Sequence, residues 1–202
     1  MKKFKLDLLF EKSLLSEKYK NDLQLRLDED RKDLDSFQYL KSVQNSIEKF
    51  VESGDNLHIH SPVCGNGKTS WAVKLLKEYL FRVWYKSDLV CRALFIHVPR
   101  YLLALKDNIS EKSDYVKYVK DNIFTADLVV FDEVATGAFT KFEGENILSI
   151  INTRVESGKS NIYTSNLSNS ELLDKLGDRL YSRIVNCSQD VTLVGQDKRG
   201  LF

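Results

Sequence analysis

LHIHSPVCGNGKTS, residues 57–70, begins as a strand and ends as a helix. Leu57 and Ile59 alternate with polar neighbours, Ser61-Pro62 breaks the run, and a glycine-bearing loop leads through Lys68 and Thr69 into a segment of helical period. Strand, loop and helix in that order are the setting a phosphate-binding loop needs. Gly65 and Gly67 let the backbone around Asn66 turn its N–H groups inward with no Cβ in the way. Lys68 is placed to reach β- and γ-phosphates, and the hydroxyl of Thr69, next to Ser70, to ligate Mg²⁺. The positive end of the following helix dipole acts on the same anion. Pro62 stands where the usual pattern of this loop has its first glycine. A bare G-K-[ST] triplet arises by chance in roughly one chain in ten of this length, so further residues must carry the argument.

They come some sixty residues later. ADLVVFDEV, residues 126–134, is an apolar strand that ends in two acids. A carboxylate at Asp132 can hold a hydrated Mg²⁺ from its outer side, and Glu133 is placed to polarise an attacking water. A third strand, NIYTSN at 161–166, ends in a polar tip where the Asn166 amide suits the same water or the γ-phosphate. Beyond it, Ser168 and Glu171 form a capping box with Leu167 and Leu172 as its hydrophobic staple. The helix so begun is expected to stop at Gly177. DRLYSRIV then sets Arg179 and Arg183 four residues apart, on one helical face.

Whole-chain properties exclude several classes. The 202 residues carry a formal charge of +1, too little to draw the molecule bodily to nucleic acid or an anionic membrane. Cys64, Cys91 and Cys187 are odd in number, far apart and form no C-x-x-C, which reads as reduced thiols in a cytosol. No apolar run has the length of a membrane span, and no apolar segment follows the basic start MKKFK, so a soluble, cytoplasmic protein is expected.

Residues 1–34 are charge-dense and leucine-rich, with Leu6, Leu9, Phe10 and Leu23 among the apolar positions. They read as a helical arm that either packs on the body or docks on a partner. Residues 35–51 read as one helix, 69–87 as the helix of the phosphate loop with Trp71 on its core face, and 89–98 as a strand closed by Pro99. Residues 100–122 read as helical, 143–156 as a helix stopped at Ser157-Gly158, and 191–194 as a last strand. His58, His60 and His97 have no third ligand nearby in sequence and read as core or sheet-end histidines, not metal ligands. Strands alternating with helices predict an α/β P-loop fold, a parallel five-stranded sheet with helices on both faces.

The order of these parts resembles the AAA+ ATPases, and within them the DnaC/DnaI-type helicase loaders and their IstB-like relatives. SPVCGNGKTS, LVVFDEV, NTRVESGKSNIYTSNLS, LGDRLYSRI and the closing VGQDKRG carry the resemblance, over residues 35–202. It implies a Mg²⁺-dependent ATPase with Lys68 and Thr69 as the Walker A pair and Asp132 and Glu133 as Walker B. It also implies Asn166 as sensor 1 and Arg183 as an arginine finger in a neighbouring subunit's site, hence a hexamer or helical oligomer. Lys198 or Arg199 stands near the sensor-2 position. A C-terminal helical lid is not expected, and the compact form is that of a phage-encoded loader. The implied partners are a replicative DnaB-type helicase and single-stranded DNA, with Arg100, Tyr101 and Lys106 as candidate DNA contacts. An IstB-like regulatory ATPase acting on a transposase and duplex DNA would share every one of these motifs.

Overall fold

The structure is a computed structural model that describes residues 2–19, 25, 27, 32–108, 112–135, 137 and 139–197. Five parallel strands form one sheet: β1 (Asn56–His60), β2 (Ala93–His97), β3 (Leu128–Asp132), β4 (Ser160–Ser165) and β5 (Gln189–Thr192), in the spatial order β2-β3-β4-β1-β5. The three central strands are buried along their whole length, as parallel strands covered on both faces must be.

Strand alternation divides the core in two. Leu57, Ile59, Phe95, Leu128, Val130 and Ile162 face α1 (Lys2–Lys12), α2 (Leu34–Asn45), α3 (Ile47–Glu52) and α4 (Lys68–Val83). Leu94, Ile96, Val129, Phe131 and Tyr163 face α5 (Val98–Asp107), α6 (Asp114–Asn122), α7 (Lys141–Glu156) and α8 (Asn169–Tyr181). On that second face β1 contributes no apolar side chain; it offers His58 and His60, both buried.

Three helices differ from the sequence reading. Residues 35–51 break into α2 and α3 at Ser46, whose hydroxyl donates back to the Ser42 carbonyl and competes with the helix ladder. Residues 100–122 form two helices, the second begun by a Ser113 N-cap. Gly177 does not end α8: at φ 72° and ψ 163° it kinks the chain, which resumes helical hydrogen bonding to Tyr181 and then widens into a π turn at Ser182–Asn186. The capping box at Ser168 and Glu171 is present, and a second, at Thr140 and Glu143, starts α7. Hydrogen bonds from Lys106 and from Thr140 hold the Glu143 carboxyl down at about 2.

The N-terminal segment belongs to the first core layer. Leu6, Leu9 and Phe10 are buried against α4, and the Phe95 N–H on the outer edge of β2 donates to the Ser13 carbonyl at 2.8 Å. That cover blunts an edge that would otherwise present unpaired backbone. At about 1.5–3 kcal/mol for each large side chain buried, these three approach the net stability of an ordinary domain. Leu23, Lys198 and Arg199 lie outside the described residues.

Candidate functional site

The carboxyl ends of β1, β3 and β4 meet where the chain loops from β1 into α4. Gly65 and Gly67 both have positive φ, 75° and 106°, which a side chain would strain. Gly67 is the N-cap of α4 and has no side chain to offer, so the first N–H groups of a sixteen-residue helix have no side-chain acceptor from it. Lys68 folds across the loop, its Nζ donating to the Val63 carbonyl at 2.7 Å and to Asn66 Oδ1 at 3.2 Å. Asn66, expected among the nucleotide-binding residues, turns its side chain inward: Nδ2 donates to Ser61 Oγ and to the Leu193 carbonyl at 2.6 and 3.1 Å. Its amide therefore shapes the loop and ties it to the chain leaving β5. Ser70 sits half-buried in the first turn of α4.

Thr69 and Asp132, sixty-three residues apart, are in contact: Thr69 Oγ1 donates to Asp132 Oδ1 at 2.8 Å. Thr164 Oγ1 donates to the same carboxylate oxygen at 2.8 Å and accepts the Glu133 N–H at 3.0 Å. Asp132 is buried, and its hydrogen-bond partners among the described residues are these two hydroxyls, with no cationic side chain. A buried carboxylate left without a protein cation beside a helix-borne hydroxyl fits a hydrated Mg²⁺, with Thr69 as ligand and Asp132 as its outer acceptor.

Glu133 has φ 58°, an uncommon conformation for a side-chain-bearing residue and a local strain that the surrounding hydrogen bonds must hold. Its Oε2 lies 3.3 Å from His97 Nε2 at the end of β2. The Arg100 N–H points at His97 Nδ1 over 3.4 Å, which makes Nδ1 the acceptor and leaves Nε2 facing Glu133. Thr69, His97, Arg100, Tyr115, Asp132 and Glu133 line a cavity of about 350 Å³. Neither Thr164 nor His97 was singled out for this chemistry from sequence, because only the pairing of β3 with its two neighbours brings them to the acids.

Asn166 follows the last residue of β4, and Ser165 accepts the Ser61 N–H through its carbonyl at 3.1 Å, so the strand tip stands beside the phosphate loop. Arg179 and Arg183 are brought together on another part of the molecule. With Leu148, Asn152, Asp178 and Ser182 they line an open groove of about 560 Å³, apart from the cavity at Asp132 and Glu133. The proposed DNA contacts need one correction: Tyr101 is buried, 1% exposed, with its ring against Tyr115. Lys106 is engaged by Glu143 at 2.9 Å, while Arg100 lies over the Tyr115 ring on the rim of the cavity.

Comparison with known proteins agrees with this geometry. The family of IstB-like ATP binding proteins matches residues 11–198, beginning inside α1. The replicative helicase loader DnaC of Escherichia coli K12 is 26% identical over 147 residues, 73% of this chain. The chain spans about half, 54%, of that relative's length. A crystal structure of the DnaC helicase loader superposes with a TM-score of 0.68 at 21% identity, covering 88% of this chain and 99% of that one. The replication initiator DnaA bound to AMPPCP and single-stranded DNA gives 0.64 at 18% identity, over 89% of this chain and 51% of the other. Both share the fold. With nearly the whole chain matched and the phosphate loop, paired acids and parallel sheet in place, the chain belongs to the IstB-like ATP-binding protein family, a branch of the AAA+ P-loop ATPases.

Proposed function

We propose that this protein loads a replicative DnaB-type hexameric helicase onto single-stranded DNA and couples that act to ATP binding and hydrolysis. The observation that carries the proposal is the likeness to DnaC over 147 residues, joined to the contact between Thr69 of the phosphate loop and Asp132. In this reading the backbone of residues 65–70 and the Lys68 ammonium bind the phosphates of ATP. Mg²⁺, held by Thr69 and through water by Asp132, would neutralise charge on the phosphate oxygens. Glu133 takes a proton from the attacking water, and Asn166 orients that water or the γ-phosphate. Arg183 completes the site of the next subunit, because a guanidinium keeps its charge and offers forked donors to phosphate oxygens. Its groove lies apart from the chain's own acid cavity, which favours action on a neighbour. Hydrolysis then loosens the assembly and frees the helicase.

Capture of the host's replicative helicase by the purified protein, with and without ATP, is the direct test. Recovery of the helicase with ATP and its release after hydrolysis is the expected outcome. Recovery of a transposase in its place would assign the regulatory role that other members of an IstB-like family make the natural rival. The subunit arrangement is tested by mixing. Arg183→Ala is expected to bind ATP normally and hydrolyse it poorly, and addition of Lys68→Ala protein should restore part of the rate. Absence of recovery at every ratio, with both variants folded and assembling, would remove Arg183 from the neighbour's site.

A further inference from the structure

We infer that His58, His60 and Asp190 form a binding site for a borderline-soft divalent cation of the Zn²⁺ class at the β1–β5 edge of the sheet. The sequence shows two histidines two residues apart and no third ligand. The fold supplies it, because the parallel register sets His58 opposite Asp190 and His60 opposite Thr192 on the same sheet face. One donor atom from each of the three residues lies within 4.8 Å of the others. His58 Nδ1 is 2.7 Å from Asp190 Oδ1, and His60 Nε2 is 3.2 Å from Asp190 Oδ2. Ligand atoms about 2.0–2.2 Å from a tetrahedral zinc stand roughly 3.3–3.5 Å apart. The shorter contact need open by only about 0.6–0.8 Å, a shift within side-chain reach on two adjoining strands.

Neighbouring groups suit the role. Asn169 Nδ2, at the start of α8, donates to Asp190 Oδ2 at 3.0 Å and so orients the carboxylate. Thr192 Oγ1 is 2.8 Å from His60 Nε2, a hydroxyl beside the position a fourth ligand or water would take. The histidine side chains are 0% and 8% exposed while Asp190 is 32% exposed, which leaves one way in.

Packing alone does not account for the cluster. Elsewhere on this face the sheet carries Leu94, Ile96, Val129 and Phe131, whereas His58 Nε2 and His60 Nδ1 are buried without a hydrogen-bond partner among the described residues. Such nitrogens are costly where apolar side chains would serve. Two imidazoles and one carboxylate prefer zinc, cobalt or nickel to magnesium, so cellular Mg²⁺ is a poor competitor. An ion here would pin β5 and the start of α8 to β1, whose last residue precedes Ser61 of the phosphate loop.

The test uses the full chain, freed of metal by chelation and without nucleotide, titrated with Co²⁺ in excess Mg²⁺ and then displaced by Zn²⁺. One equivalent of cobalt with the visible bands of a four-coordinate ion, and no thiolate charge-transfer band, is expected. His60→Gln and Asp190→Asn, each checked for fold by circular dichroism, should weaken binding by more than the about 10–100-fold that loss of a merely supporting group costs. Cys64→Ser and His97→Gln should leave it unchanged. Binding below one equivalent, retained affinity in either folded ligand variant, or equal loss in His97→Gln would overturn the assignment.

Discussion

The two ends of β3 carry the same functional group and use it in opposite ways. Asp127, just before the strand, is met by Arg92 at 3.1 Å, Lys159 at 2.9 Å and the Tyr79 hydroxyl at 3.0 Å. Burial works to raise its carboxyl, and the hydrogen bonds and charges of those partners bring it below its ordinary value. Close by, Arg154 is fully buried, with its guanidinium spent on the carbonyls of Ile123, Ala126 and Ser160 and on Asn161 Oδ1. Five residues on, Asp132 meets, among the described residues, hydroxyls alone. At one end the protein supplies the positive charge itself; at the other the described residues supply none. A closed network holds a fold together, and an open one is where chemistry can enter.

The largest expected effect falls at the open end. Glu133→Gln keeps the shape of the side chain and removes its basicity, so ATP should still bind while hydrolysis slows by about 10²–10⁴-fold, the range for a lost general base. Single-turnover measurement decides it; an unchanged rate would give water activation to another group.

The comparison itself is broken or kept by exchanging one oxygen for nitrogen at each end. Asp132→Asn should fold with normal stability and weaken Mg²⁺-nucleotide binding about 10–100-fold, as loss of an outer partner of a metal does. Asp127→Asn should do the reverse, with nucleotide affinity held and stability reduced by about 1–3 kcal/mol in denaturant titration, since two cations lose their counter-charge and one of them its acceptor oxygen. If both variants lost stability equally, the two ends would not differ in kind.

What the sequence made legible follows from the same contrast. Positions fixed by neighbours in the chain were readable: Gly65, Gly67, Lys68 and Thr69 lie together where the loop enters α4, and Ser168 and Glu171 close one helix turn. Roles set by lateral pairing were not readable. Thr164, His97 and Asp190 become partners of Asp132, Glu133 and His58 only through the strand order β2-β3-β4-β1-β5, and no spacing in the chain encodes it. Tyr101 shows the opposite limit, for its aromatic ring suited a DNA contact by type and turned out to fill the core. Ser46 broke a helix that hydrophobic period favoured, because a hydroxyl bond to the preceding turn outweighed a weak local preference.

The smallest effect tests whether the open end is also regulated by its neighbour strand. His97 Nε2 lies 3.3 Å from Glu133 Oε2, and both side chains are more than a third exposed, at 41% and 35%. A pair so placed is worth at most about 1 kcal/mol, which limits any effect on rate to about five-fold. Its direction follows from what the bond does. A ring so close to the Glu133 carboxylate holds one of its oxygens away from any water at the phosphate. His97→Ala should therefore raise basal hydrolysis a few-fold in the absence of partners, with ATP affinity unchanged because His97 lies on the acid side of the cavity. His97→Gln, which keeps a donor at similar reach, should stay near the parent rate. A fall in rate for His97→Ala would mean that the bond aims the carboxylate at its water and does not restrain it.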